Sequence, residues 1–312
     1  MANMLISEQV QAAEKPGKRS ARWKNDVIGY AFVAPFLIAY ALFVFLPIIL
    51  GFGMSFFNWS LAGTGKDQFL GLQNYQEALT DPSFWGSLGN TVLFTVISTP
   101  LLMVFGLVLA LLANMKIPGR WLFRTVVFAP YILPVSAVVL VWNWLYQPGF
   151  GLINGMLTAI GLKEVGWLSD PNVAMLSTVI VTIWWTVGFN FVLYLAGLQQ
   201  IPQEVYESAS IDGANSWNKL LHITLPLLKN TTLLVMILQV ISSLQVFAQI
   251  FLLTGGGPNY VTRPLMQYVY ETGFSSFRIG LASAMSYLFF ILIMLISGIQ
   301  FFLFYRKKGG EA

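Results

Sequence analysis

The chain contains no cysteine and a single histidine, His222. Disulfides, zinc–thiolate centres and thiol nucleophiles are thereby excluded, and one imidazole can form neither a His-pair metal site nor a histidine relay. Cysteine usage leaves the redox compartment open. Charge is also scarce: Asp, Glu, Lys and Arg make up 10% of the 312 residues, where a soluble domain carries about a quarter. Apolar residues make up 56%. So little polar surface cannot cover a water-exposed globule of this length, so much of the chain must face lipid. The net charge of +4 does not point to nucleic acid, because the basic residues flank apolar runs in short clusters instead of forming one patch.

What is present is a series of long apolar segments. About 20 such residues cross a bilayer core as a helix. Runs of this kind cover Val27–Phe57, Asn90–Asn114, Leu122–Tyr146, Val173–Gln199, Leu228–Leu253 and Gly280–Tyr305. The expectation is an all-α membrane protein with six transmembrane helices. The first run follows Lys15, Lys18, Arg19, Arg22 and Lys24, as in a secretory signal peptide. It is too long for a signal core and lacks a small-residue cleavage site, so it reads as a retained span behind a tail over 1–26.

Basic residues then orient the spans. With the N-terminus in the cytoplasm, the inner side collects the tail cations, Lys116, Arg120, Arg124, Lys219, Lys229, Arg306, Lys307 and Lys308, and the outer side only Lys66, Lys163, Arg263 and Arg278. Both termini, including a short tail over 306–312, are therefore expected in the cytoplasm, around a single membrane domain over 27–305. Asn58–Trp59, Phe84–Trp85, Trp144–Tyr146 and Trp167 fall beside span ends on the outer side, where amphipathic rings sit at headgroup level. Pro130 and Pro134 fall within the third span and should bend it, freeing carbonyls for neighbouring helices to satisfy. No low-complexity segment or internal repeat is evident.

One inner connector, 201–229, is unlike a solvated loop. It reads as two short helices meeting at Asp212-Gly213, where glycine accepts the positive φ of a tight turn. Pro226 marks the passage into the next span. Trp217, Leu220, Leu221 and Ile223 give the connector more apolar surface than water tolerates, which implies a protein packed against it.

The connector resembles the "EAA" coupling loop of permease subunits in binding-protein-dependent ABC importers, a pattern of roughly E-A-A-x-x-D-G-A followed by I-x-L-P. Glu207, Ala209, Asp212, Gly213, Ala214, Ile223, Leu225 and Pro226 stand at the matching offsets, with Ser208 where alanine is frequent. Phe69–Tyr75, Trp167–Pro171 and Leu253–Pro258 are similar to recurring pieces of the carbohydrate-uptake branch, the one containing the maltose and glycerol-phosphate permeases. The resemblance runs from about Asp26 to Lys307. It implies a type I ABC importer permease fold in a bacterial or archaeal plasma (inner) membrane. It also implies a second homologous permease, two ATPase subunits that bind ATP and Mg, an extracytoplasmic solute-binding protein and a sugar substrate. This chain itself would hold no cofactor or metal and would catalyse nothing. Contact with the ATPase would fall to Glu207, Ser208, Ala209, Asp212, Gly213, Ala214 and Trp217.

The spans hold essentially no ionisable residue, which argues against an ion path or proton relay. They do hold neutral polar groups. Thr186, Phe189, Asn190 and Leu193 share one face of the fourth span, and Gln239, Ser242, Ser243 and Val246 one face of the fifth, with Gln245 and Gln249 beyond. Such groups beside aromatic faces suit an uncharged polyol. The resemblance to the maltose permease places Thr186, Phe189, Asn190, Gln239 and Ser243 in the solute path, with Ser242 and Gln245 as neighbours. The alternative is that these polar groups only knit helices together.

Other motifs fail. Gly63-Thr64-Gly65-Lys66 has Ser60 and Asp67 where a phosphate loop needs glycine and Ser or Thr. Glu207 and Asp212 lack the enclosed pocket and nucleophile that acid–base chemistry requires. A membrane-embedded transferase would need a carboxylate, His or Lys cluster at a membrane face. A secondary transporter would need an inverted repeat or buried ionisable groups.

Overall fold

The computed structural model describes residues 30–60, 63, 68–115 and 118–306. The tail over 1–26 with its cations, the segment 64–66, Lys116, Lys307 and Lys308 lie outside the described residues. The described chain is helical, with only isolated bridges such as Phe57 with Phe69. Residues up to Met54 and residues from Ser55 onward form two units. The first contains α1, Tyr30–Met54, an apolar helix of 25 residues with a π turn at Ala41–Phe45.

The second unit begins with the short helix α2, Gln73–Thr80, whose Asn74 amide donates to the carbonyls of Ser55 and Phe57 at 2.8 and 3.0 Å. Helix α3 spans Pro82–Asn114. It starts eight residues before the apolar run because Asp81 caps it, accepting from the Ser83 amide, and Pro82 occupies its first turn. At 33 residues it is about 50 Å long, more than a hydrocarbon core needs.

The third expected span is broken. α4 (Arg120–Ile132) and α5 (Val135–Leu145) meet at 99° across Leu133-Pro134. Pro130 and Pro134 each lack an amide hydrogen, and Leu133 and Pro134 adopt extended backbone, so the ladder stops instead of merely bending. The short helix α6 (Leu152–Ala159) follows. It is fixed by buried Asn154, which donates to the Val165 carbonyl and accepts from the Val165 amide and the Trp167 indole.

α7 (Ala174–Gln199) is continuous and leads into α8 (Gln203–Ile211) and α9 (Ser216–Leu227). α10 (Lys229–Leu244) departs from α9 at 64°. The fifth expected span does not run to Leu253 as one helix. It stops at Leu244, turns through Gln245–Phe247, and resumes as α11 (Ala248–Leu253). α12 (Leu265–Tyr270) and α13 (Ile279–Arg306) complete the chain. Among the described residues four helices are long and apolar enough to cross a membrane alone, or up to six spans if each bent pair counts as one.

The core of the second unit is α3 against α7, with α4 and α10 beside them. Small residues allow the approach. A Cβ on Gly106 would lie 2.8 Å from Asn190 Cβ, one on Gly188 2.9 Å from the Val127 carbonyl, and one on Gly197 2.6 Å from Thr231 Oγ1. Phe191, Tyr194, Leu198, Leu228 and Val235 fill the seam near the α8–α9 end.

The opposite end is tied by polar contacts. Arg263, 9% exposed, donates to Ser87 Oγ and Glu271 Oε2 and lies between the rings of Tyr260 and Tyr268. Asn90 donates to the Tyr260 and Arg263 carbonyls, Tyr268 to Asp81, and Arg278 forms a two-pronged pair with Glu77. That pairing holds the Arg278 guanidinium above its usual pKa.

Candidate functional site

Two features stand out, a polar cavity within the bundle and the elbow between α8 and α9. The cavity encloses about 490 Å³ and is lined by Phe94, Tyr131, Thr182, Trp185, Thr186, Gln239, Ser242, Ser243, Gln245, Val246 and Gln249. It opens where two helices break: Tyr131 sits just before the α4–α5 corner, and Gln245 and Val246 form the α10–α11 turn. No Asp, Glu, Lys, Arg or His lines it.

Its walls differ in hydrogen-bonding sense. Thr182 and Thr186 donate their hydroxyls back to the carbonyls of Thr178 and Thr182, at 2.8 and 2.7 Å, leaving oxygen lone pairs for the cavity. Gln239 Nε2 donates to Ser243 Oγ at 2.9 Å, and Thr99 Oγ1 donates to the same oxygen at 3.2 Å. The Ser243 hydroxyl thus receives two bonds and keeps its own hydrogen to give. Ser242 and Gln245 are exposed and unconstrained by such a chain. The Trp185 indole donates to the Leu133 carbonyl at 3.2 Å, satisfying a group freed at the proline corner and leaving the ring, not the N–H, for the cavity.

Of the residues expected in the solute path, Thr186, Gln239, Ser242, Ser243 and Gln245 line this one cavity. Phe189 and Asn190 do not. Phe189 stacks on Tyr131 with ring centroids 5.6 Å apart, so its ring supports a lining residue. Asn190 is fully buried in the α3–α7–α10 seam, because its position on α7 turns toward Gly106. Sequence reasoning missed Phe94, Tyr131, Thr182 and Trp185. Thr182 was within reach, one turn before Thr186 on the same helical face. Tyr131 and Trp185 were not, since both depend on the angle of the proline corner.

At the other site, α8 ends at Asp212 and Gly213 takes φ +78. The Ala214 amide returns to the Ala209 carbonyl at 2.9 Å and the Gly213 amide to Ser210 at 3.2 Å, a glycine-terminated helix end. α9 then starts with Asn215 as its cap, accepting from the Asn218 amide. Tyr206 bonds Thr224 at 3.0 Å and Lys219 donates to Ser210 at 2.6 Å, locking the two short helices together. Glu207, Ser208, Asp212, Gly213 and Trp217 are exposed, Ala209 and Ala214 half-buried, and Glu207 accepts from Gln203 one turn back. Ile211 is 87% and Trp217 64% exposed. A stiff corner thus presents two large apolar side chains and two carboxylates outward.

Residues 102–308 match the family described as the inner membrane component of binding-protein-dependent transport systems. The chain belongs to that family: it is an ABC transporter permease, a multi-pass transport subunit. It is 36% identical to the probable ABC transporter permease YurN of Bacillus subtilis, across 92% of this chain and 99% of that protein. It is 34% identical to the sulfoquinovosyl glycerol permease SmoG of Agrobacterium fabrum (93% and 95%) and 34% identical to the trehalose/maltose permease MalF of Thermococcus litoralis (92% and 95%). Among solved structures it is similar to a chain of a bacterial ABC transporter that imports the acidic polysaccharide alginate. The TM-score is 0.83 and the identity 25%, over 93% of this chain and 99% of that one.

Proposed function

We propose that this chain is one half of the membrane channel of an ATP-driven importer for an uncharged sugar or short oligosaccharide. In this reading six spans cross the plasma (inner) membrane, each broken pair counting as one, with both termini in the cytoplasm. The elbow at Asp212-Gly213 faces the cytoplasm and seats Ile211 and Trp217 in a cleft of a separate ATPase subunit. ATP and Mg are bound there and not on this chain. A second permease completes the channel, and an extracytoplasmic binding protein delivers the solute at the end held by Arg263 and Asn90. Closure of the ATPases pulls the elbow and swings α10 with it as a rigid-body switch.

The observation that carries this reading is the elbow. Its two helices are held by their own hydrogen bonds, yet its largest side chains face outward. The cavity supports the solute class, since donors and acceptors without charge match hydroxyls and an acidic glycan would call for a cation. The relatives named above are described as permeases for sulfoquinovosyl glycerol and for trehalose or maltose. The neighbouring alginate importer was also solved with a periplasmic protein holding an alginate pentasaccharide, which supports a binding-protein partner here.

The direct test is purification of the chain with whatever co-assembles, followed by ATPase assays across a panel of neutral sugars. Two ATPase copies and stimulation by a sugar-loaded binding protein are expected. Uptake that persists without the ATPase and follows an ion gradient would favour a secondary transporter and end the proposal.

A further inference from the structure

Asn190 was expected in the solute path, and its geometry gives it a different task. It is 0% exposed and is not among the residues lining the cavity. Its Nδ2 donates to Gln239 Oε1 at 2.8 Å, Gln239 Nε2 donates to Ser243 Oγ at 2.9 Å, and Ser243 Oγ also receives Thr99 Oγ1 at 3.2 Å with Ser98 Oγ 3.3 Å away. The chain of bonds therefore begins at a buried group behind the wall and ends at two groups that form it.

The direction of this relay matters. A glutamine amide can present either its oxygen or its nitrogen. With the Asn190 donor holding Oε1 from behind, Gln239 must aim its nitrogen along α10 at Ser243. Ser243, accepting from both Gln239 and Thr99, can only donate, to Ser98 Oγ at 3.3 Å or to a ligand in its place. Gly106 makes the arrangement possible, because any side chain there would occupy the space Asn190 fills. Asn190 Oδ1 is itself buried without a partner, so the residue spends its one bond on Gln239.

We infer that Asn190 is a positioning residue. Without touching the solute, it sets the hydrogen-bonding polarity of the cavity wall through Gln239, making that wall a donor surface for sugar oxygens. The inference rests on the sugar-importer reading for its functional consequence, although the placement of Asn190 behind the wall does not.

The test has two arms, both on the assembled complex in membranes. Because the chain lacks cysteine, single replacements report access to the cavity without background. Ser242→Cys and Gln245→Cys should react with a small cationic methanethiosulfonate, and Asn190→Cys should not react over the same interval. Reaction of Asn190→Cys as fast as Ser242→Cys places it on the solute path and overturns the inference.

In the second arm, ATPase stimulation is titrated with maltose, trehalose and lactose delivered by the binding protein. Asn190→Leu, which has no donor, should raise the half-maximal sugar concentration and keep the maximal rate. It should not raise it further in a Gln239→Ala background. A lower maximal rate at unchanged half-saturation, or effects that add to those of Gln239→Ala, also overturns it. Failure of every sugar to stimulate the unmodified complex counts against the importer reading alone, and the thiol arm still decides the place of Asn190.

Discussion

Gly106 of α3 lies so close to Asn190 of α7 that a Cβ on the glycine would come within 2.8 Å of the asparagine Cβ and 3.2 Å of its carbonyl carbon. Neither neighbour is the mobile tip of a side chain, so relief requires moving a helix. Gly106→Ala should destabilise the subunit by about 1–3 kcal/mol, the range for an overpacked core, and Gly106→Val by more. Gly53→Ala is the control, since nothing lies within 4 Å of its Cβ position. Thermal unfolding in detergent would compare them, and equal melting temperatures would show that the helices are not held this tightly.

Trp185 joins two functions in one side chain, a bond to the Leu133 carbonyl and a ring at the cavity. Trp185→Phe keeps a ring and removes the donor, leaving a freed carbonyl without its partner. The bond is exposed, so the loss should be no more than about 1 kcal/mol, the net worth of an ordinary hydrogen bond. Trp185→Leu should add a loss of sugar-stimulated activity beyond the loss of stability. Identical behaviour of the two variants in both assays would mean that the ring does nothing for the solute.

Gly213 is held at φ +78 with open space around its Cβ position. Substitution is therefore opposed by backbone strain and not by crowding. Gly213→Ala should weaken the elbow by about 1–2 kcal/mol, the left-handed penalty for an L-residue, and Gly213→Asn by less. Gly213→Pro, whose ring demands negative φ, should leave the complex assembled with ATP hydrolysis no longer answering to sugar. Full sugar stimulation in Gly213→Pro would remove the elbow from the mechanism.

The ion pairs at the opposite end should behave unequally. Glu77 and Arg278 are well aligned at 2.7 Å but 47% and 51% exposed, so Arg278→Ala should cost less than about 1 kcal/mol. The Arg263 side chain is 11% exposed, bonded to Ser87 and Glu271 and flanked by two tyrosine rings. Its removal takes a donor from buried Ser87 and the cation from Glu271, which keeps only its bond from Gln267, a cost of about 1–3 kcal/mol. Arg263→Lys keeps the charge but not the flat contact with the rings, and should fall between. Chemical denaturation of the three variants tests the order.

Much of this was legible in the sequence because membrane helices follow from composition. α1, α7 and α13 lie within a few residues of the apolar runs, and the positive φ of Gly213 was implied by Asp-Gly between two short helical patterns. The breaks were less legible. Pro130 and Pro134 signalled a bend, yet nothing in the run gives a 99° corner, at which the freed Leu133 carbonyl accepts from the Trp185 indole of another helix. The α10–α11 break was invisible, since Gln245-Val246-Phe247 contains neither glycine nor proline. For the cavity, helical periodicity grouped Thr186 with Asn190 and Gln239 with Ser243. It could not tell which member of a face meets water and which meets a neighbouring helix. That distinction was fixed by Gly106, on a helix about 80 residues away in sequence.

The central claim concerns the surface around Trp217, and a single cysteine there tests it most directly. Trp217→Cys, in a chain otherwise free of cysteine, would be treated in cell-derived vesicles of both orientations with a membrane-impermeant thiol reagent, and then with a short bifunctional cross-linker. The account predicts labelling only where the cytoplasmic face is outward, and a cross-link to the ATPase that weakens labelling when the complex is intact. Labelling from the external face, or a cysteine that joins no other polypeptide in the assembled complex, contradicts it.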